Sequence, residues 1–141
     1  MALVAKVNFE SHKDEVSAEL KQKINAWLEA IGEDAASASA NVLTMTGTID
    51  TGRLKNSITH AVDEGEQCVY IGTNVEYAIY HEFGTGIYAE GGGGRQTPWM
   101  FQDKDGVWHY THGVPAKHFI QFGCTAHQAQ YKQMLEDKLK E

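Results

Sequence analysis

The sequence predicts an α+β fold: a long N-terminal helix, a small antiparallel sheet with a short central helix, a protruding β-hairpin, and a C-terminal helix packed back on them. Three observations predict it. Apolar residues recur at threes and fours from Val16 to Met45, short β-rich runs fill the middle, and an amphipathic segment ends the chain. At 141 residues the chain fits one domain, 1–141, long enough to bury a core without staples. Residues 86–114 read as a loop and hairpin excursion from it.

The long helix is expected from Glu10 to about Met45. Val16, Leu20, Ile24, Trp27, Ile31, Ala35, Ala38 and Val42 align on one face. Ser11 is a suitable N-cap, and Asp14 and Glu15 favour the positive end of the helix dipole. Such a helix is about 50 Å long, more than a domain of this size covers. Its second half, Ala35-Ala36-Ser37-Ala38-Ser39-Ala40, carries only small side chains. These admit another backbone closely, either a strand of the same chain or a neighbouring subunit. Gly32 either breaks the helix in two or costs it about 1 kcal/mol.

After the polar turn Gly47–Gly52, Thr51 is placed to cap a short helix from Gly52 to Ile58, with Leu54 and Ile58 as an apolar pair. Arg53 and Lys55 on it are either solvent-facing residues of a connecting turn or contact residues. Strands follow at Thr59–Asp63 and Gln67–Thr73, joined by Glu64-Gly65-Glu66. In the next segment Tyr77, Tyr80 or His81, and Gly84 recur at helical spacing. One aromatic face is therefore expected to dock on the sheet before Gly84 stops the helix.

Glu90 and the run Gly91-Gly92-Gly93-Gly94 suit no packed element, so a mobile surface loop is expected. A phosphate cradle is the alternative, but the G-x-x-x-x-G-K-[ST] pattern is absent. A hairpin comes next, with Trp99–Gln102 and Val107–Thr111 flanking a turn that contains Asp105-Gly106. A turn centred on either Asp105-Gly106 or Lys104-Asp105 puts Trp99 and Phe101 on one face with Trp108 and Tyr110, and a one-residue bulge would spoil that. Such a face is either a lid on the core or a patch for a partner. The last helix is expected from Phe119, with Ile120, Cys124, His127 and Tyr131 in three–four spacing, lying against the first helix across the sheet.

The net charge is −7, the reverse of the balance used to grip nucleic acid. That disfavours DNA binding and is compatible with a wall that DNA slides past. No apolar run approaches the roughly 20 residues of a membrane span, and residues 1–6 lack the apolar stretch of a signal peptide. Cys68 and Cys124 are expected as reduced, packed thiols of a cytosolic product, with a disulfide or a shared zinc as alternatives.

Tests for catalysis return little. His81-Glu82 lacks the second histidine of H-E-x-x-H, because position 85 is Thr. His109 and His112 point to opposite faces of a strand, and His118 and His127 do not share a helix face. Ser57 and Cys124 have no nucleophile signature, and Glu76 and Glu82 are poorly spaced as an acid–base pair. No catalytic, cofactor-binding or metal-ligating residue is assigned, and no cofactor is expected.

Thr51-Gly52-Arg53-Leu54-Lys55-Asn56-Ser57-Ile58, then Val69-Tyr70-Ile71-Gly72-Thr73-Asn74-Val75-Glu76-Tyr77-Ala78, and then Glu82-Phe83-Gly84-Thr85-Gly86 carry a resemblance. They look like the "TGxLxxSI" and "VxIGTNVxYAxxxExGTG" segments of the tail-completion (neck) proteins of long-tailed double-stranded DNA phages. Gly113-Val114-Pro115-Ala116-Lys117-His118-Phe119 resembles the family's third segment, so the likeness runs over roughly residues 50 to 125. The usual Pro-Phe and Leu-Arg-Pro ending is replaced by His118-Phe119-Ile120-Gln121-Phe122.

The resemblance implies a structural, non-enzymatic virion protein of a phage or prophage, found in the tail neck and, during assembly, in the host cytoplasm. It implies a ring of copies, commonly sixfold, around the DNA channel. Its partners would be a head-side connector or stopper and a tail terminator or tail-tube protein, with DNA passing unread and no membrane involved. Ring-making needs two unlike faces that close; the surplus length of the first helix and the glycine-flanked hairpin are the expected ones. Trp99, Phe101, Trp108 and Tyr110, with Arg53 and Lys55, are the expected partner-binding residues. The rival readings are a small metal-dependent hydrolase using His81, Glu82 and a hairpin histidine, and a regulatory protein-binding module.

Overall fold

Alternating burial along the first described residues builds an edge strand. The computed structural model describes residues 3–8, 18–46, 51–102 and 105–141, with the side chain of Thr51 left aside. In β1 (Leu3–Asn8), Leu3, Ala5 and Val7 turn inward against the core while Val4, Lys6 and Asn8 face out. β1 pairs antiparallel with β3 (Cys68–Thr73), which pairs antiparallel with β2 (Thr59–Asp63), giving the order β1-β3-β2. β3 is the central strand and is almost wholly buried. The sequence reading found β2 and β3 with nearly these bounds and did not anticipate β1.

Helix α1 (Ala18–Thr46) crosses the sheet without interruption, so Gly32 does not break it. The glycine is there for contact. A Cβ at Gly32 would come within 2.7 Å of the His60 ring and the Val69 side chain, so its absence lets the helix settle on β2 and β3. The gain in packing offsets the propensity cost of about 1 kcal/mol. The expected start at Glu10 and the Ser11 cap lie outside the described residues, as does the Thr51 side-chain cap. Helix α2 (Thr51–Ser57) plugs Leu54 into the core, next to Ile58, as the apolar pair predicts. Ser57 and Thr73 share a hydroxyl hydrogen bond of 2.5 Å, which ties the end of α2 to β3.

The C-terminal segment differs from the single helix expected. It forms α4 (Phe119–Thr125) and α5 (Gln128–Leu139), separated at Ala126 and His127. α4 packs directly on the small-residue half of α1, where a Cβ at Gly123 would fall on Ser39. That stripe is therefore covered by a helix of the same chain, not by a strand or a second subunit. Past this crossing a network holds the chain on α1. Asp34 is hydrogen-bonded to His127 Nδ1 and accepts the Tyr131 hydroxyl, both at 2.7 Å, and Trp27 Nε1 donates to the Tyr131 carbonyl at 2.8 Å. The three–four spacing persists through the break, so periodicity alone gives no sign of the change in direction.

Trp27, Leu28, Ile31, Leu43, Leu54, Val69, Ile71 and Phe119 are the larger members of the core. Cys68 is buried and Cys124 half-buried, both as free thiols, and burial pushes the Cys124 thiol up to about 11. Among the described residues, no helix is long and apolar enough to cross a membrane.

Candidate functional site

A short helix and three glycines set the geometry. α3 (Ala78–Phe83) follows β3, with Ala78 N donating to the Val75 carbonyl, and it stops where Gly84 takes φ +81°. The chain then crosses the segment that leaves the hairpin. Thr85 N donates to the Val114 carbonyl (2.9 Å), Val114 N to Thr85 Oγ1 (2.8 Å), and Ile87 N to the His112 carbonyl (3.1 Å). At this crossing Gly86 has φ +61° and Gly113 φ +131°, and a Cβ on either would strike a backbone carbonyl of the other segment. Side chains are excluded on both grounds, sterically and by the left-handed backbone.

Beyond the crossing stands the hairpin, β4 (Trp99–Gln102) and β5 (Trp108–Thr111). Its register pairs Trp99 with Thr111, Met100 with Tyr110, Phe101 with His109, and Gln102 with Trp108. This corrects the expected parity. Five residues, 103–107, connect Gln102 to its partner Trp108, one more than a turn centred on Lys104-Asp105 leaves and one fewer than a turn centred on Asp105-Gly106 leaves, and a shift of one flips the face of a whole strand. Trp99 and Phe101 therefore share a face with His109 and Thr111, and Phe101 stacks on His109 at 5.1 Å. Trp108 and Tyr110 share the opposite face with Met100. None of these side chains belongs to the core cluster, so the hairpin is not a lid on it.

Between α3, the glycine-rich loop and the hairpin lies an open cleft of about 980 Å³. Tyr77, Tyr80, Trp99 and Phe101 give it aromatic walls; Tyr110 also lines it, whereas Trp108 does not. Arg95 sits over the Trp99 ring at 5.5 Å. Arg53 reaches toward the same region, over the Tyr77 ring at 5.7 Å and 3.8 Å from Glu76, while Lys55 stays half-buried on α2 and does not line the cleft. The glycine loop is two turns of 3₁₀ helix, Gly86–Tyr88 and Glu90–Gly92, with Glu90 paired to His118 Nε2 at 2.5 Å.

The choice between Tyr80 and His81 on α3 falls to His81. It is buried, with Tyr77 edge-on at 5.8 Å, while Tyr80 is exposed. Burial, and then the neighbouring Lys117, lower the His81 pKa, which favours a neutral ring. Its Nδ1 meets no hydrogen-bond partner among the described residues. Glu82 turns away from the cleft. Its two oxygens accept the backbone N–H groups of Ile120 (2.9 Å) and Gln121 (3.1 Å), so this carboxylate caps α4 across the fold. The His-Glu pair is thereby divided between two structural tasks.

The Thr85 hydroxyl accepts from Val114 N, and the Thr111 hydroxyl is bonded to the Gly113 backbone. Among the described residues, no three His, Cys, Asp or Glu side chains gather to hold a metal ion. What the cleft offers is aromatic surface with few charges, suited to apolar side chains of another protein. The roles of Glu82 and His81 were not read from the sequence; the spacing of α3 put Tyr80 and His81 on view without saying which would be buried, and the α3 face expected on the sheet lies instead against α4 and the segment before it.

A family model described as "Bacteriophage HK97-gp10, putative tail-component" matches residues 8–84, more than half of the chain. No curated protein and no solved structure gives a match. The matched segment holds α1, the two C-terminal strands of the sheet, α2 and α3, and it ends at the glycine that closes α3; the hairpin lies beyond it. With the phage-like segments at residues 51–58 and 69–86 seated on α2, β3 and α3, the chain belongs to the HK97-gp10-like family of bacteriophage tail components.

Proposed function

We propose that this tail component is a single-domain structural protein, not an enzyme, that joins the phage tail to the head-side connector. It acts as a ring of copies, sixfold by likeness to tail-completion proteins, around the DNA channel. The observation that carries this reading is the hairpin: an aromatic ribbon outside the core, with Phe101, Trp108 and Tyr110 all exposed. Aromatic surface of this kind is what the buried centres of protein interfaces use. Trp99, Phe101, Trp108 and Tyr110, assisted by Arg53 and Lys55, meet neighbouring subunits, the connector or stopper, and the tail terminator or tube. The −7 charge supports a channel wall that DNA passes without being held. The protein works in the virion neck after assembly in the host cytoplasm of a phage or prophage carrier, without a cofactor or a membrane partner.

Trp108→Ala tests the reading. The variant should fold as the parent does, yet lysates complemented with it should contain separate tails and DNA-filled heads under the electron microscope. Normal yields of joined particles would overturn the proposal.

A further inference from the structure

A second apolar patch is formed on α3 and α4. Ile79 and Phe83 are one turn apart on the outer side of α3. Phe83 and Phe122 both contact the His118 ring edge-on, at 6.5 and 5.9 Å, so α3 and α4 present Ile79, Phe83 and Phe122 together. These three are 43–52% exposed, and Met100, Trp108 and Tyr110, which share one face of the hairpin whose Tyr110 also borders the cleft, are 59–66% exposed.

We propose that Met100, Trp108 and Tyr110 of one subunit dock on Ile79, Phe83 and Phe122 of a second copy of this chain. The inference rests on the ring reading and supplies its contact. Three arguments select a copy of the chain as the occupant. Each patch exposes on the order of 300–400 Å², taking roughly 150–250 Å² for a fully open aromatic side chain. A standard interface buries about 800 Å² per partner, a little over half of it apolar, so each patch supplies most of the apolar part that its own side needs. They sit on separate elements of one chain and leave each other uncovered, which is the head-to-tail arrangement from which rings close. Finally, copies carrying −7 repel one another, and contact is less opposed when it is made through uncharged side chains such as these six. Of these six side chains only the Tyr110 phenol is ionisable, while the His112 ring beside Tyr110 at 5.7 Å and the His118 ring between Phe83 and Phe122 border the two patches.

The test is complementation between two charged variants, followed by sedimentation equilibrium up to about 1 mM. The wild-type chain should associate with rising concentration. Trp108→Asp and Phe83→Asp should each weaken association by about thirtyfold or more, with melting curves showing both folded; Phe122→Asp replaces Phe83→Asp if the latter melts early. Mixed one to one, the two variants should form dimers and nothing larger, because each retains one intact face. A wild type that associates while both variants do so equally overturns the docking and leaves the ring standing. A mixture that stays monomeric also overturns the docking. A wild type that remains monomeric throughout overturns the docking and the ring together.

Discussion

The α1–sheet body and the hairpin are built on opposite terms. In the body, glycines serve contact between packed elements: Gly32 lies against His60 and Val69, and Gly123 lies against Ser39. Both sit in helices and bring layers together at the expense of propensity. At the foot of the hairpin, Gly84, Gly86 and Gly113 serve backbone direction, all at positive φ, and what they support is a ribbon of large side chains left in solvent. The body turns most of its large apolar residues inward, whereas the hairpin leaves its own outside. The family match follows the same division, since it stops at Gly84.

The largest effect should come from filling a body contact. Gly123→Val places side-chain atoms on the Ser39 backbone and should cost about 3 kcal/mol or more, seen as a large drop in denaturation midpoint. Were it tolerated, the close crossing of α1 and α4 would be wrong. Next is Glu82→Ala, which uncovers two N–H groups at the start of α4 and should cost about 2 kcal/mol by urea titration. Glu82→Gln should recover part of that loss.

Smaller still is a pH effect in His81. Its folded pKa lies below the ordinary histidine value of 6.5, so the unfolded chain takes up the proton first. Stability is therefore full above about pH 6.5 and falls as the pH drops below it, by at most about 1.4 kcal/mol per pH unit. Melting from pH 7.5 to 5.5 should show the decline, and His81→Asn should flatten it. Asp34 acts lower on the scale. Burial raises its pKa, but hydrogen bonds from His127 and Tyr131 and the His127 charge outweigh that and lower it. Its contribution is present above the ordinary aspartate value of 3.8 and is lost as the pH falls through the folded pKa beneath that. Smallest should be Trp108→Ala, within about 0.5 kcal/mol of the parent. A large loss there would mean that the ribbon supports the core after all.

Much of this body is legible from residues alone. β2, β3 and α2 follow from short β-rich runs and the Leu54–Ile58 pair, and the apolar stripe gives α1, although the stripe by itself left open whether Gly32 breaks the helix. β1 escaped because Val4 faces solvent, so Leu3-Val4-Ala5 reads as a featureless apolar run. The hairpin's existence was plain from Asp105-Gly106, but its faces were not. Facing depends on how many residues the connection holds, and period-two geometry turns a miscount of one into a complete inversion. The docking of His81 and the capping by Glu82 escaped for another reason. Both are answered from residues 117–121, nearly forty positions away, and local spacing carries no trace of such partners.

The crossing at Thr85 and Val114 has a mechanical consequence. Strain applied at the hairpin tip reaches three backbone-anchored hydrogen bonds, passes into α3, and runs through the Glu82 carboxylate to α4, bypassing the four-glycine stretch. Load thus enters the body through this crossing, while the glycine segment, held by its own 3₁₀ turns and the Glu90–His118 pair, runs beside that route.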